Sequence, residues 1–120
     1  MKIQIVMEKI KISIRKDFSP TPGPRYIHEG KFSGELFRQQ VLYPRVSEAI
    51  GKNIPFEVDL DGTAGYGTSF LEESFGGLIR IHGLPYEKIK SLMSLISIEE
   101  DYLIDDVNEY LKDAYEESKK

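Results

Sequence analysis

Val58-Asp59-Leu60-Asp61-Gly62-Thr63-Ala64-Gly65-Tyr66-Gly67-Thr68-Ser69-Phe70-Leu71-Glu72-Glu73 is the stretch that decides the fold of this chain. Up to Asp61, apolar Phe56, Val58 and Leu60 alternate with acidic neighbours, the period of a strand with one buried face. Gly62, Gly65 and Gly67 then break the alternation. Beyond them Phe70, Leu71, Ser74, Phe75, Leu78 and Ile79 return at helical spacing. Ser69 and Glu72 stand three apart, the spacing of a capping box, so a helix is predicted to open there and to end near His82-Gly83. Strand, glycine turn and helix make one α/β unit. The turn also sets two hydroxyls, Thr68 and Ser69, where a helix presents unpaired N–H groups and the positive end of its dipole. That position suits a phosphate, either carried by a ligand or attached to the hydroxyl itself.

Toward the N-terminus, Ile10, Ile12 and Ile14 alternate with Lys9, Lys11, Ser13 and Arg15, which predicts another strand, extended by Ile3 and Ile5. Residues 17 to 30 hold three prolines and two glycines without periodicity, a long loop of the kind that carries function. Ser33 is an N-cap residue, with Phe32 and Phe37 spaced as a hydrophobic staple. The helix it opens carries Phe37, Val41, Val46, Ala49 and Ile50, should bend or break at Pro44, and should stop at Gly51. Toward the C-terminus, Pro85 suits the first turn of a short helix, residues 91–98 read as a strand, and residues 101–117 form the clearest helix. Strands alternating with helices predict an α/β domain, a small sheet covered by helices.

Length and composition narrow the chemistry. The 120 residues, 40% of them hydrophobic, fit a single domain spanning 1–120. With no cysteine, disulfides, thiolate metal sites and cysteine nucleophiles are excluded. No apolar run approaches the roughly 18 residues of a membrane span, and no signal peptide is legible, so a cytoplasmic protein without membrane contact is expected. The net charge of −4 divides unevenly: residues 1–52 carry ten Lys and Arg against five acids, the remainder six against fifteen. Scattered cations in an acidic chain do not predict nucleic-acid binding.

The glycine turn lacks the lysine of a nucleotide P-loop and the spacing of a dinucleotide fingerprint. No Gly-x-Ser-x-Gly elbow occurs, and His28 and His82 stand in neither metal nor triad spacing. No enzyme, metal or cofactor is therefore expected. Of Asp59, Asp61, Glu72 and Glu73, Asp61 at the strand end is the acid to keep as a site residue. The candidate site is the turn Asp61, Gly62, Gly65, Tyr66, Gly67 and Phe70, with Thr68 and Ser69 as phosphoacceptors and Arg25 and Arg38 as contacts to a partner. The alternative is a module that holds a phosphate metabolite or nucleotide on the amides of residues 62–69.

The turn resembles that of STAS domains of anti-sigma-factor antagonists, in which a strand of the type Leu-Asp-Leu-Ser-Gly leads into Asp-Ser-Ser-Gly at a helix start. More closely, the chain is similar to the bacterial STAS-like family of unknown function. Its markers appear as Pro22-Gly23-Pro24-Arg25, Ser33-Gly34-Glu35-Leu36-Phe37-Arg38, residues 61–73 and Phe75-Gly76-Gly77-Leu78. The resemblance implies a small mixed sheet with helices mainly on one face, and a non-enzymatic role in protein–protein regulation. It also implies a partner, a histidine-kinase-like ATPase that phosphorylates the first hydroxyl of the pair. That hydroxyl falls on Thr68, with Gly67 where the antagonists have aspartate and Phe70 where they have glycine.

Overall fold

A computed structural model describes residues 8–120, so the expected extension through Ile3 and Ile5 lies outside the described residues. Among these described residues three strands, β1 (Ile10–Ser13), β2 (Phe56–Asp59) and β3 (Met93–Ile96), form a sheet in the order β1-β2-β3. Both pairings are parallel, with Ile12 opposite Val58 and Val58 opposite Leu95, where a mixed sheet was expected. Parallel neighbours need long crossovers, and here each crossover contains helices.

In this register Ile10, Ile12, Phe56, Val58, Met93 and Leu95 share one face, while Lys11, Ser13, Glu57, Asp59 and Ser94 fall on the other. Ile12, Phe56 and Val58 are buried and Lys11 and Ser94 are exposed. The helices therefore cover one side of the sheet. Five helices follow among the described residues: α1 (Ile14–Asp17), a single turn; α2 (34–52); α3 (68–80); α4 (Tyr86–Leu92), with Pro85 at its N-cap; and α5 (Tyr102–Ser118). Among the described residues no helix is long and apolar enough to cross a membrane.

Helix α2 runs through Gly34–Phe37, a π-helical turn at Arg38–Leu42, and Tyr43–Lys52. Ser33 caps it as predicted, its Oγ accepting from the Leu36 N–H at 3.0 Å. The staple takes another form, because Phe32 turns outward at φ 56° and both rings meet on Phe18, at 5.9 and 5.3 Å. Pro44 does not break the helix. The Tyr43 N–H reaches back five residues to the Arg38 carbonyl, so the widened turn lies directly before the residue that lacks an N–H. Nor does Gly51 stop it. The left-handed cap is Asn53 at φ 54°, whose N–H donates to Ile50.

Helix α3 runs through Thr68–Leu71, a second π turn at Glu72–Gly76, and Gly77–Arg80. Gly83, at φ 66°, closes its C-terminal end, with its N–H on the Ile79 carbonyl. The capping box predicted for Ser69 and Glu72 is absent. Gly67, extended at φ −75° and ψ 150°, is the N-cap, and Glu72 is drawn away to two arginines. The core fills the space between these helices and the sheet with Phe37, Leu42 and Val46 of α2, Leu71, Phe75 and Leu78 of α3, and Val107 and Leu111 of α5.

Candidate functional site

The segments that follow the three strands meet at the carboxyl edge of the sheet, the usual place for a site in an α/β fold. The turn 61–67 after β2 lies at their centre. Asp61 accepts from the N–H groups of Ile98 at 2.9 Å and Glu99 at 3.0 Å, in the segment after β3. Glu99 returns the contact by accepting from the Gly62 N–H at 2.6 Å. On the other side, the Ala64 N–H donates to the Pro20 carbonyl at 2.8 Å, in the loop beyond β1. Gly62 sits at φ 84°, a backbone conformation that favours glycine, with the exposed Arg15 side chain packed against it.

Tyr66 reinforces the turn from inside. Its hydroxyl donates to the Leu60 carbonyl at 2.7 Å, and burial pushes its pKa well above the ordinary phenol range, with the charges of Asp59, Asp61 and Glu100 adding to the effect. The Gly65 N–H donates to Thr63 Oγ1 at 3.2 Å, and the Asp61 N–H to Asp59 Oδ1 at 2.9 Å. The amides of Asp61, Gly62, Ala64 and Gly65 are thus already engaged within the chain. The recess beside them, lined by Asp61, Tyr66, Glu99 and Glu100, measures only about 10 Å³. This turn presents a braced, acidic surface.

The structure brings together most of the predicted site residues and removes two from the surface. Asp61, Gly62, Gly65, Tyr66 and Gly67 form the turn, and Thr68 and Ser69 are the first two residues of α3. Gly67 has no side chain, so neither hydroxyl follows a side-chain cap, and Thr68 is exposed. Phe70 is fully buried, 5.8 Å from the Phe37 ring and 5.7 Å from Tyr66, and supports the turn from below instead of meeting a partner. Arg38 is also buried, at 2% exposure, and is not a surface contact.

Arg38 belongs to an ion network that the sequence did not reveal. Its Nη1 donates to Glu73 Oε2 at 2.5 Å and to the Glu73 carbonyl at 2.9 Å, and its Nε to His82 Nε2 at 3.3 Å. Arg25, from the loop after β1, reaches Glu72 at 2.6 Å and Glu73 at 3.2 Å, and Arg80 grips Glu72 through both terminal nitrogens at 2.8 and 3.1 Å. Burial pushes the Glu72 pKa up, but the bonds and charges of Arg80 and Arg25 outweigh it and hold the carboxyl below its usual range. The same bonds raise both guanidiniums. His82 stacks on Tyr43 with ring centres 3.7 Å apart, and burial followed by the Arg38 charge lowers its pKa.

One signal for this network was present in the sequence. Gly76 and Gly77 interrupt an otherwise regular helix, and their reason is spatial: a Cβ on Gly77 would stand 2.8 Å from Arg38 Cδ, and one on Gly76 would stand 2.9 Å from Arg80 and Glu72. Glycine here is room for guanidiniums. Among the described residues no group of three or more His, Asp or Glu is arranged to hold a metal ion.

Residues 33–103 match the family described as a STAS-like domain of unknown function (DUF4325), and the chain belongs to that family. No curated protein and no solved structure matches the chain.

Proposed function

We propose that the chain is a non-enzymatic, cytoplasmic regulatory domain that meets a protein partner through the 61–67 turn and the start of α3, with phosphorylation of Thr68 or Ser69 as the switch. The observation that carries this reading is the exposed Thr68 at a helix start whose N-cap is glycine, beside a turn held rigid from both sides. A rigid acidic surface with an accessible hydroxyl is a docking surface whose charge can be changed. The agent is a histidine-kinase-like ATPase. It transfers the γ-phosphoryl of ATP to the hydroxyl oxygen, releasing ADP and the hydroxyl proton.

A phosphate adds about −1.5 to −2 charges at neutral pH. Thr68 lies one helical turn before Glu72, which by itself would repel it. Glu72 is neutralised by Arg25 and Arg80, so the phosphate meets a balanced neighbour and the positive end of α3. The new charge then acts on the partner, not on the fold.

Mass spectrometry of the protein isolated from its own cells tests this, with phosphate expected on the peptide that holds Thr68 and Ser69. In parallel, quantitative affinity purification should return different partner abundances for Thr68→Glu and Thr68→Ala. Unmodified peptide under every growth condition, together with identical partner profiles, would refute the switch.

A further inference from the structure

The two edges of the sheet are finished differently. In the parallel register Ile10, Ile12, Ser94 and Ile96 turn their N–H and C=O groups toward β2, with the Ile10 N–H on the Pro55 carbonyl and the Leu60 N–H on the Ile96 carbonyl. Lys11 and Ser13 on β1, and Met93, Leu95 and Ser97 along β3, therefore turn theirs outward. On β1 such groups are used within the chain: the Lys11 carbonyl accepts from Arg45 at 3.3 Å, and the Ser13 N–H donates to Asp17 at 2.7 Å. On β3 the Leu95 N–H and carbonyl, the Met93 carbonyl and the Ser97 N–H have no partner among the described residues. We infer that β3 is the pairing edge for a second copy of this chain, the two strands running antiparallel about a two-fold axis at Leu95. The pairing uses the backbone of β3 and does not rest on the Thr68 switch.

The composition of the edge fits this use. An edge strand is ordinarily protected by lysine, proline or a bulge. β1 carries Lys11 with Lys9 before it, whereas Ser91 to Ile98 holds no charge and no proline. Its side chains are those of Leu, Met, Ile and Ser, and Ile98 is 84% exposed. A two-fold axis makes an edge that pairs with itself antiparallel. Each Leu95 N–H then meets the Leu95 carbonyl of the other copy, and each Ser97 N–H meets the other Met93 carbonyl. Met93 needs no further acceptor, since its own N–H already closes α4 on the Ile89 carbonyl. Ile98 falls opposite Leu92 of the other copy, which takes apolar surface of both out of water.

Charge selects the same direction. Beyond its C-terminal end the edge is followed by Glu99, Glu100 and Asp101, with no cation among them. Before its N-terminal end stand Lys88 and Lys90 against Glu87, and Lys90 also borders the α4–α5 groove with Lys112, Glu109 and Asp113. One end is acidic and the other is close to balanced. Lys88, Lys90, Glu99, Glu100 and Asp101 join no ion pair among the described residues. Antiparallel pairing sets each acidic end against the lysines of the other copy and keeps the two acidic ends apart. Parallel pairing would bring the acids together, which repels.

Sedimentation velocity of the intact chain at about 5 to 500 µM tests the pairing, with a rise from monomer to twice that mass expected over this range. Hydrogen exchange of the same samples locates it: the Leu95 and Ser97 amides should slow as the dimer forms. Lys88→Glu with Lys90→Glu, both at exposed positions, sets acid against acid and should weaken association about tenfold. Adding Glu100→Lys and Asp101→Lys to the same chain should restore it, with circular dichroism checking that each variant is folded. A chain that is monomeric throughout overturns the inference, as does a dimer in which Leu95 and Ser97 exchange as fast as in the monomer. Slow exchange of both amides in the monomer shows that the chain covers its own edge, and overturns it equally. If the reversed charges do not restore association, the antiparallel arrangement is wrong.

Discussion

Replacing Gly77 by alanine should destabilise this protein, although the same change in an ordinary exposed helix stabilises it by about 1 kcal/mol. The new methyl carbon would stand 2.8 Å from Arg38 Cδ and 2.9 Å from its Cζ, where ordinary carbon contacts lie at about 3.5–4.0 Å. Arg38 would have to retreat by about 1 Å. Its Nη1 is held at 2.5 Å from Glu73 Oε2 and 2.9 Å from the Glu73 carbonyl, so that retreat takes both bonds out of range. Separating a buried pair costs about 3–5 kcal/mol, and the helix-propensity gain offsets about 1 of it. The expected net loss is about 2–4 kcal/mol, or roughly 10 °C in melting temperature for a domain of this size.

Gly76→Ala provides the control. The atoms its methyl would meet are the far ends of Arg80 and Glu72, which are partly exposed and free to move, so its stability should stay within about 1 kcal/mol of the parent. Urea unfolding followed at 222 nm measures both, with unchanged m-values confirming that only stability differs. If Gly77→Ala is as stable as the parent, or if Gly76→Ala is the more damaging change, Gly77 does not serve to seat Arg38.

Glu73→Ala should cost about 3–5 kcal/mol in the same assay, because it leaves the 97%-buried Arg38 side chain without its carboxylate. Asp61→Ala should cost about 1 kcal/mol and speed hydrogen exchange selectively at the Ile98 and Glu99 amides, which lose their acceptor; unchanged exchange there would refute the clamp. Stability should also fall with acid in two separable windows. The folded state holds the His82 pKa below the value near 6.5 of the unfolded chain, so this contribution is complete above about pH 7 and is lost as pH falls through that region. Glu72 is held below its usual range, so its contribution persists until pH falls below about 5. Melting curves from pH 8 to pH 4 should show the first window in the parent and not in His82→Gln.

Where a structural rule acts within a few residues, the sequence was a sound guide. Ser33 caps α2 because its acceptor and the Leu36 N–H are three residues apart, and nothing distant competes. Ser69 and Glu72 have the same spacing, yet the rule failed, because Arg25 and Arg80 offer Glu72 a stronger partner than a backbone N–H. Gly51 has the composition of a helix stop, but the chain continues to Lys52 and turns at Asn53, whose short side chain tolerates the left-handed region. Pro44 was a correct warning of irregular backbone, with the irregularity displaced into the π turn that precedes it.

The candidate site divides along the same line. The strand, turn and helix that carry it were legible, since the alternation through Leu60, the three glycines and the following apolar stripe are local patterns that require those elements in that order. What each side chain does there was not. Asp61 became a brace because a segment 37 residues away lies beside it, and Arg25 became part of an ion network because partners 47 and 48 residues away come within hydrogen-bond reach. Phe70 and Arg38 moved from surface to interior by packing alone. Periodicity determines which face of an element is apolar, and so the sequence by itself determined the elements, the family resemblance and the position of Thr68. Only the tertiary structure decided which charges meet, because a carboxylate's partner is set by distance in space, and three parallel strands bring together residues that the chain keeps far apart.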